Sequence, residues 1–458
     1  MINNNNAEIN EVLLSKSGVI RGFLDRYLAK SYKHIQRNGL VLSPMILNEL
    51  DVTSSRRKIE NVRAFFTKIL KLLLENQIAQ LSNIKKSVSQ WGNADLVEKI
   101  YSTALSNGSI NDFVEVGRLD QMHTMSSEIN PACIDSLIDY KDLEDLMFGL
   151  WDELNIPVQG LRKQSSFLDA ILDEMIIKTE TQFPAAKYIG WISSYNRIYN
   201  DYAVREYRMW QYANEYLKNK GIALKFMLVP FENLGHYNLS DFGCLYDEIY
   251  PDELGTVDSA EVLKCILELS ESNKLVSPYF VYPIEHKAIQ ALMWNDKFVA
   301  DYQFSAAEVQ SARDVFPRTL LCSELLEVRD WESITKAMNE YYIKSTYSWC
   351  GENVHRVGTL SDSVKNRIDK DVLINPYSWI VQEPADHIHV RHVQYQWLDE
   401  GIKELEMISD SGIQYVYNPS QGVKFMSISA RNSVSHEEGI VSRSQDKIFR
   451  PAVVMIKG

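Results

Sequence analysis

Across 458 residues the chain has no C-x-x-C pair, no G-x-x-x-x-G-K-[ST] loop and no apolar run approaching membrane-spanning length. Its cysteines, Cys133, Cys244, Cys265, Cys322 and Cys350, are an odd set without ligand spacing. That excludes a cysteine zinc site and makes a reduced compartment the expectation. The missing glycine-lysine loop excludes a Walker-type nucleotide site. The first ten residues, MINNNNAEIN, carry neither a basic start nor an apolar signal core, so a cytoplasmic protein is expected, with no membrane partner. Basic residues are outnumbered, 48 Lys and Arg against 61 Asp and Glu, for a net charge of -13. Non-specific attraction to nucleic acid or an anionic surface is therefore disfavoured, although a local basic pocket is not. There is no internal repeat, and the short asparagine run is the sole low-complexity tract.

What is present is ordinary globular composition, 45% hydrophobic and 24% charged, in a chain long enough for roughly two to four lobes. From Glu8 to about Ala104 the pattern is helical; Val62, Phe66, Ile69 and Leu73 form one stripe at spacings of four, three and four. Residues 1–110 are expected to be a helical lobe, and 111–183 a hairpin followed by helices. Residues 184–282 alternate strand and helix (KYIGWISSY, Asp201–Lys218, ALKFMLVPF, GCLYDEIY, Ser259–Glu271), which predicts a small parallel α/β lobe. The tyrosines between Tyr195 and Tyr216 lack a basic run beside them, so they are read as helix packing and not as base-stacking platforms. Residues 283–458 are rich in short strands: Tyr341–Lys344, Val354, SWIVQ at 378–382, an exposed HIHVRHVQYQW, IQYVYN, VKFMSISAR and PAVVMI. His387, His389 and His392 lack a Cys or acid at ligand spacing and are assigned to that exposed strand, not to zinc. The fold class is thus a multi-lobed α+β and α/β protein.

Two stretches could carry chemistry. If Val114–Thr124 pairs with Met125–Asn130 about Thr124, Arg118 lies opposite Asn130 and Asp120 opposite Glu128, all on one face. Two readings fit this hairpin equally: an oxygen site for a cation such as Mg²⁺, or a surface hairpin with cross-strand charge pairs. The second stretch is YYIKSTYSWCGENV, where Lys344 on a strand precedes a polar turn and a returning strand. This arrangement can set one ammonium and several backbone N–H groups against phosphate oxygens. The WIVQE segment that follows could serve a purine edge and a ribose.

In this order, Lys287, Lys344, Gln382-Glu383 and Arg431 resemble the nucleotide half of an ATP-grasp enzyme. G-R-x-D with E-x-N at Gly117–Asn130 resembles its Mg²⁺-binding end. The E-x-N segment comes first, so the resemblance is to the circularly permuted ATP-grasp ligases. It extends from about residue 110 to the C-terminus, with the α/β lobe similar to the domain that precedes the grasp in unpermuted order. The resemblance implies that Lys287 and Lys344 bind ATP phosphates and that the Ser345–Gly351 loop closes over them. It implies that Gln382 and Glu383 face adenine and ribose, and that Asp120, Glu128 and Asn130 hold Mg²⁺. Arg431 would hold the acyl or γ-phosphate, and Arg118 would contact substrate or phosphate. The implied activity joins a small-molecule carboxylate to an amine (amino acid, peptide or carrier-bound acyl group) through an acyl phosphate, releasing ADP and phosphate. Pro131-Ala132-Cys133 after Asn130, and a loop with the single glycine Gly351, depart from the family pattern. Those departures motivate one alternative, a non-catalytic ATP-grasp-like binding protein, and the shared ATP machinery motivates another, a phosphotransferase on the same scaffold.

Overall fold

The computed structural model describes residues 7–28, 35, 40–75, 94–122, 125–130, 137–156, 160–249, 253–254, 257, 259–346, 353–384, 391–398, 401–434 and 451–457. Within these, the side chains of 7, 94, 121–122, 127–128, 391–394, 406–410, 431–434 and 451 lie outside the description. The N-terminal stretch holds α1 (Ala7–Ser15), α2 (Ser17–Leu28), α3 (Glu49–Leu74) and α4 (Ala94–Ser106). A capping box sets the start of α3: Asp51 N donates to the Asn48 side chain at 2.9 Å, and the Asp51 carboxylate accepts from Asn48 N at 3.2 Å. Two orphan N–H groups of the first turn are satisfied this way. The stripe seen in sequence, Val62, Phe66, Ile69 and Leu73, is buried throughout, each side chain contributing roughly 1.5–3 kcal/mol.

This stretch is more than helices. β1 (Leu40–Val41) pairs antiparallel with β14 (Arg391–Leu398), and β2 (Met45–Asn48) runs parallel to β18 (Val454–Lys457), whose other edge takes β5 (Leu161–Lys163). α3 and α4 share one hydrophobic core with the α/β lobe and with Ile380, Ile413 and Tyr415 far downstream. Periodicity reveals that a face is buried but not what buries it, which is why the sequence alone suggested a separate lobe.

The central sheet is built on β15 (Gly401–Asn418). One edge of β15 pairs first with β14 and then, beyond residue 410, with β3 (Glu115–Met122), so those two strands lie end to end along it. The other edge carries β16 (Gly422–Val434), then β17 (Pro451–Ala452); β4 (Met125–Asn130) completes the sheet beside β3. β14 is therefore interior, with Tyr395 and Trp397 buried, and not the exposed strand its alternation suggested. One face of the sheet carries α5 (Leu137–Leu154) and α6 (Phe167–Gln182): Val114, Val116 and Val416 pack against α6, while α3 covers Tyr415 and Tyr417 on the other.

In the α/β region the expected parallel sheet is present. β6 (Tyr188–Ser193), β7 (Lys225–Pro230), β8 (Phe242–Asp247) and β9 (Leu275–Val276) form an all-parallel sheet in the order β7-β6-β8-β9. α7 (Ala203–Asn219) stops at Gly221, which takes φ 71°, and α8 (Ala260–Glu271) starts from a Ser259 cap. After a 3-10 turn (Tyr279–Glu285) come α9 (Ala288–Leu292), α10 (Asp296–Asp301) and α11 (Ala306–Arg313). A second antiparallel sheet follows, in the order β10 (Thr319–Leu321), β13 (Trp379–Gln382), β11 (Tyr342–Ser345), β12 (Val354–Arg356). α12 (Cys322–Val328), α13 (Trp331–Ala337) and α14 (Asp362–Ile374) pack on its outer face. Among the described residues no helix is long and apolar enough to cross a membrane.

Candidate functional site

The β3–β4 hairpin has the register that a turn about Thr124 implies: Arg118 faces Asn130 and Asp120 faces Glu128, with a bulge after Asp120. Arg118 Nε donates to Asp120 Oδ1 at 2.5 Å and Nη2 to Oδ2 at 3.0 Å, while Asn130 Nδ2 reaches Asp120 Oδ2 at 3.3 Å. Residues i and i+2 on one strand share a face, so the bidentate pair forms within β3 and not across strands. Asp120 is buried at 3% exposure, which makes the pair more than a surface contact. Gly412 of β15 makes room for it: a Cβ there would sit 2.8 Å from both Arg118 Cδ and Ser429 Oγ.

The hairpin's described side chains do not by themselves fit a divalent cation. Both Asp120 oxygens engage Arg118, the Asn130 amide turns its N–H₂ to that carboxylate, and the pair is neutral overall. Among the described residues no group of three or more His, Cys, Asp or Glu is placed to hold a metal ion. The Glu128 side chain lies outside the description, as does that of Arg431, whose backbone pairs with Asp410 and Pro451.

The second sheet sorts its residues by alternation. Ile343, Trp379 and Val381 bury outward against α12 and its neighbours, leaving Lys344, Gln382, Ile380 and Thr319 on the inner face. Lys344 Nζ donates to Gln382 Oε1 at 2.6 Å. Gln382 Nε2 in turn donates to Thr319 Oγ1 and Gln290 Oε1, each at 3.0 Å. Gln382 is thus a buried clamp that aims Lys344, whereas the resemblance had it facing adenine. Glu383 bonds by its backbone N to Arg318 O at 2.8 Å and accepts from Tyr341 OH at 2.5 Å. Burial, helped by Glu383, pushes the Tyr341 phenol up to about 12, so it remains a donor. Ser345 falls on the face opposite Lys344 and closes the hairpin through its backbone N to Asn353 O at 3.2 Å. Gly351 lies outside the described residues.

Lys287 is half-buried at the N-terminus of α9. Burial, and then the Lys287 charge, push the neighbouring His286 imidazole down to about 3, so it is neutral and no acid at physiological pH. The two candidate regions meet at their roots. Ser126 N of β4 donates to Val315 O at 2.7 Å, just before the chain enters β10, and β4 packs on the 3-10 turn that leads to Lys287. Sequence reasoning missed Gln290, Thr319 and Gly412. The first two sit on elements that spacing does not relate to WIVQE, and a lone glycine in a strand signals only a close approach.

The parallel sheet supplies a further edge. Strand order reverses at β6, whose neighbours β7 and β8 lie on opposite sides, and in such sheets ligands enter beyond the carboxyl ends of the strands. There, Trp191 Nε1 donates to Glu248 Oε2 at 3.0 Å, and Arg197 lies 3.9 Å from Glu248 and 3.5 Å from Glu253. Asp247, fully buried, accepts from Ile249 N at 3.0 Å. Burial pushes its carboxyl up to about 7. A folded pKa above the unfolded one means the native state binds the extra proton, so stability falls as pH rises from about 4 to about 7. Asp247→Asn keeps the acceptor and removes the titration. Its melting temperature is expected to exceed that of the wild type at pH 8 and to equal it at pH 4, by calorimetry at both values. A variant no more stable at pH 8 would count against the buried charge.

The sheets, the parallel lobe and the order of elements define a mixed α/β protein, similar in fold to a solved glutathione synthetase-like structure. A solved structure it resembles is that of a glutathione synthetase-like effector from Globodera pallida in its apo form. The TM-score is 0.60 over 97% of each chain, at 10% sequence identity, so the likeness is of fold alone. No protein-family model matches the sequence, and no curated protein matches it.

Proposed function

We propose that the protein is an ATP-dependent carboxylate–amine ligase of the circularly permuted ATP-grasp type. The observation that carries the reading is Lys344, an ammonium held by the buried Gln382 clamp on the inner face of a small antiparallel sheet. A glutathione synthetase-like fold supports it. In this reading Lys344 and Lys287 neutralise ATP phosphates, and Glu383 meets the ribose. Arg431 takes the transferred phosphoryl group, and Arg118, oriented by Asp120, receives the substrate carboxylate. The carboxylate attacks the γ-phosphorus and ADP leaves; the amine then attacks the carbonyl carbon of the acyl phosphate, the C–O bond to phosphate breaks, and inorganic phosphate and one proton are released as the amide forms. Both steps build negative charge on non-bridging oxygens, so positioned cations account for the catalysis and no protein nucleophile is required.

A second reading, a nucleotide-binding protein without turnover, is favoured by one observation: Asp120 is saturated by Arg118. One assay separates the two. With ATP, Mg²⁺ and pooled amino acids, the ligase reading expects ADP and phosphate in step with a new amide mass. ATP binding without any product supports the second reading, and absence of ATP binding overturns both. A phosphorylated product without amide would identify a phosphotransferase.

A further inference from the structure

The tyrosines between Tyr195 and Tyr216, read from sequence as helix packing, divide into two groups. Tyr212 and Tyr216 are committed to the fold, their hydroxyls donating to Asp169 and Asp173 of α6. Tyr195, Tyr199, Tyr202 and Tyr207 face outward with Val204 and Trp210, each of the six between 38% and 58% exposed. The faces of α7 account for the division. Its inner stripe, Met209, Ala213 and Leu217 at intervals of four, is buried in the core shared with Trp191 and Phe226. On the outer side the first half of α7 carries Val204, Tyr207 and Trp210, whereas the second half exposes Glu215, Lys218 and Asn219. A helix apolar on both faces is ordinarily covered on both, and here that holds for the N-terminal half.

The exposed rings are nevertheless held in place. Tyr195 and Tyr199 lie with centroids 4.7 Å apart and Tyr207 and Trp210 5.7 Å apart, while the Arg205 guanidinium sits 4.1 Å over the Tyr202 ring. The Glu232 carboxylate accepts from Tyr195 N at 2.8 Å, which fixes the π-helical turn (Arg197–Asp201) where it leaves β6. Rings already ordered lose little side-chain entropy on being covered, and tyrosine and tryptophan are the commonest anchors of protein interfaces.

Charge and area select the occupant. Between Tyr195 and Gln211 the arginines turn to acids of the chain's own: Arg197 to Glu248 and Glu253, Arg205 to Glu206, and Arg208 to Asp142. Asp201 is the exposed charge of this stretch, and Asn196 Nδ2 donates to it at 2.5 Å. Two copies of a chain of net charge -13 repel over most of their surfaces, and a stretch so poor in exposed charge is where they can meet. It offers little to attract a strongly charged partner. Five rings about half covered leave on the order of 500 Å² of aromatic surface open. That is enough for the core of an interface of about 800 Å² per copy, the size usual for stable pairs, with the polar Asn196, Asn200 and Gln211 at its rim.

We propose that this aromatic face is an isologous interface between two copies of the chain, with Tyr207 and Trp210 as its anchors. Tyr195 follows the end of β6 by two residues, so the second copy stands beside the carboxyl edge of the parallel sheet. The inference goes beyond the ligase reading and does not depend on it. Sedimentation velocity of the full chain from about 1 to about 100 µM is expected to show a two-copy species that predominates at the upper end. Tyr207→Asp and Trp210→Asp are each expected to weaken association about 100-fold, because a two-fold axis repeats every substitution on both sides. Tyr207→Phe keeps the ring and is expected to retain the pair. Leu373→Asp, at an exposed apolar position of α14, is expected to retain it as well. Circular dichroism reports the fold of each variant. A single chain at every concentration overturns the proposal, as does a pair that survives both aspartate substitutions or is lost equally in Leu373→Asp.

Discussion

Replacing Lys344 with alanine is expected to weaken ATP binding about 100-fold, or roughly 2.7 kcal/mol, with the fold intact. The size follows from the kind of contact. An ammonium against a triphosphate is a charge-assisted bond in a partly desolvated place, and Lys344 is already immobilised, so little side-chain entropy is lost when a nucleotide arrives. That immobilisation comes from Gln382, whose own amide is fixed by Thr319 and Gln290. Gln382→Leu, which removes no charge, is therefore expected to weaken ATP as well, by about tenfold, because Lys344 would have to be ordered on binding. Titration of a fluorescent ATP analogue into the three proteins checks both values. Unchanged affinity in Lys344→Ala would falsify the nucleotide assignment of this sheet.

Arg63→Leu is expected to cost about 3–5 kcal/mol of folding stability, the penalty for leaving a buried carboxylate unpaired. Arg63 on α3 and Glu115 on β3 are both fully buried, joined at 2.6 Å; Tyr415 OH of β15 takes the other Glu115 oxygen at 2.7 Å, and the Arg63 guanidinium lies 4.8 Å over the Tyr417 ring. Burial raises the Glu115 carboxyl even with Arg63 opposing it. A group raised in the folded state loses stability as pH rises through its folded pKa, and without Arg63 that loss is larger. The variant is thus expected to recover part of its stability at pH 5 relative to pH 8, and Arg63→Leu with Glu115→Leu to recover most of it at both. Urea denaturation at the two pH values measures this. A loss under about 1 kcal/mol, independent of pH, would contradict the account.

Gly117 is part of the same cluster, for a Cβ there would lie 2.3 Å from Tyr415 Cζ and OH. The glycine that opened the G-R-x-D motif in sequence therefore has a packing reason of its own, independent of any metal. This illustrates what could be read from the chain and what could not. The hairpin register came from placing the turn at Thr124, and the pairing of Arg118 with Asn130 and Asp120 with Glu128 agrees with it, whereas an odd-residue slip would have turned the two acids to opposite faces. The parallel lobe was legible from strand and helix periods with glycine and serine at the boundaries. β1 and β2 were not, being two and four residues long inside a helical stretch, with partners near residues 396 and 455. The Gln382 clamp was not legible either. A buried glutamine and a surface-facing one look alike in sequence, and its partners Gln290 and Thr319 come from separate elements.

The strand β18 carries a consequence for how the molecule comes together. Its hydrogen bonds go to β2 on one side and β5 on the other, joining residues 45–48, 161–163 and 454–457 in one three-stranded sheet. Contacts spanning about four hundred positions are entropically slow to close. During synthesis β2 and β5 wait with open edges until the last of the three strands emerges. The join between β16 and β18 waits with them, because Gln164, just past β5, bonds to Ile428 O at 2.9 Å and to Val454 O at 3.4 Å. The three-stranded sheet and its bridge to β16 are accordingly late products of folding, completed together.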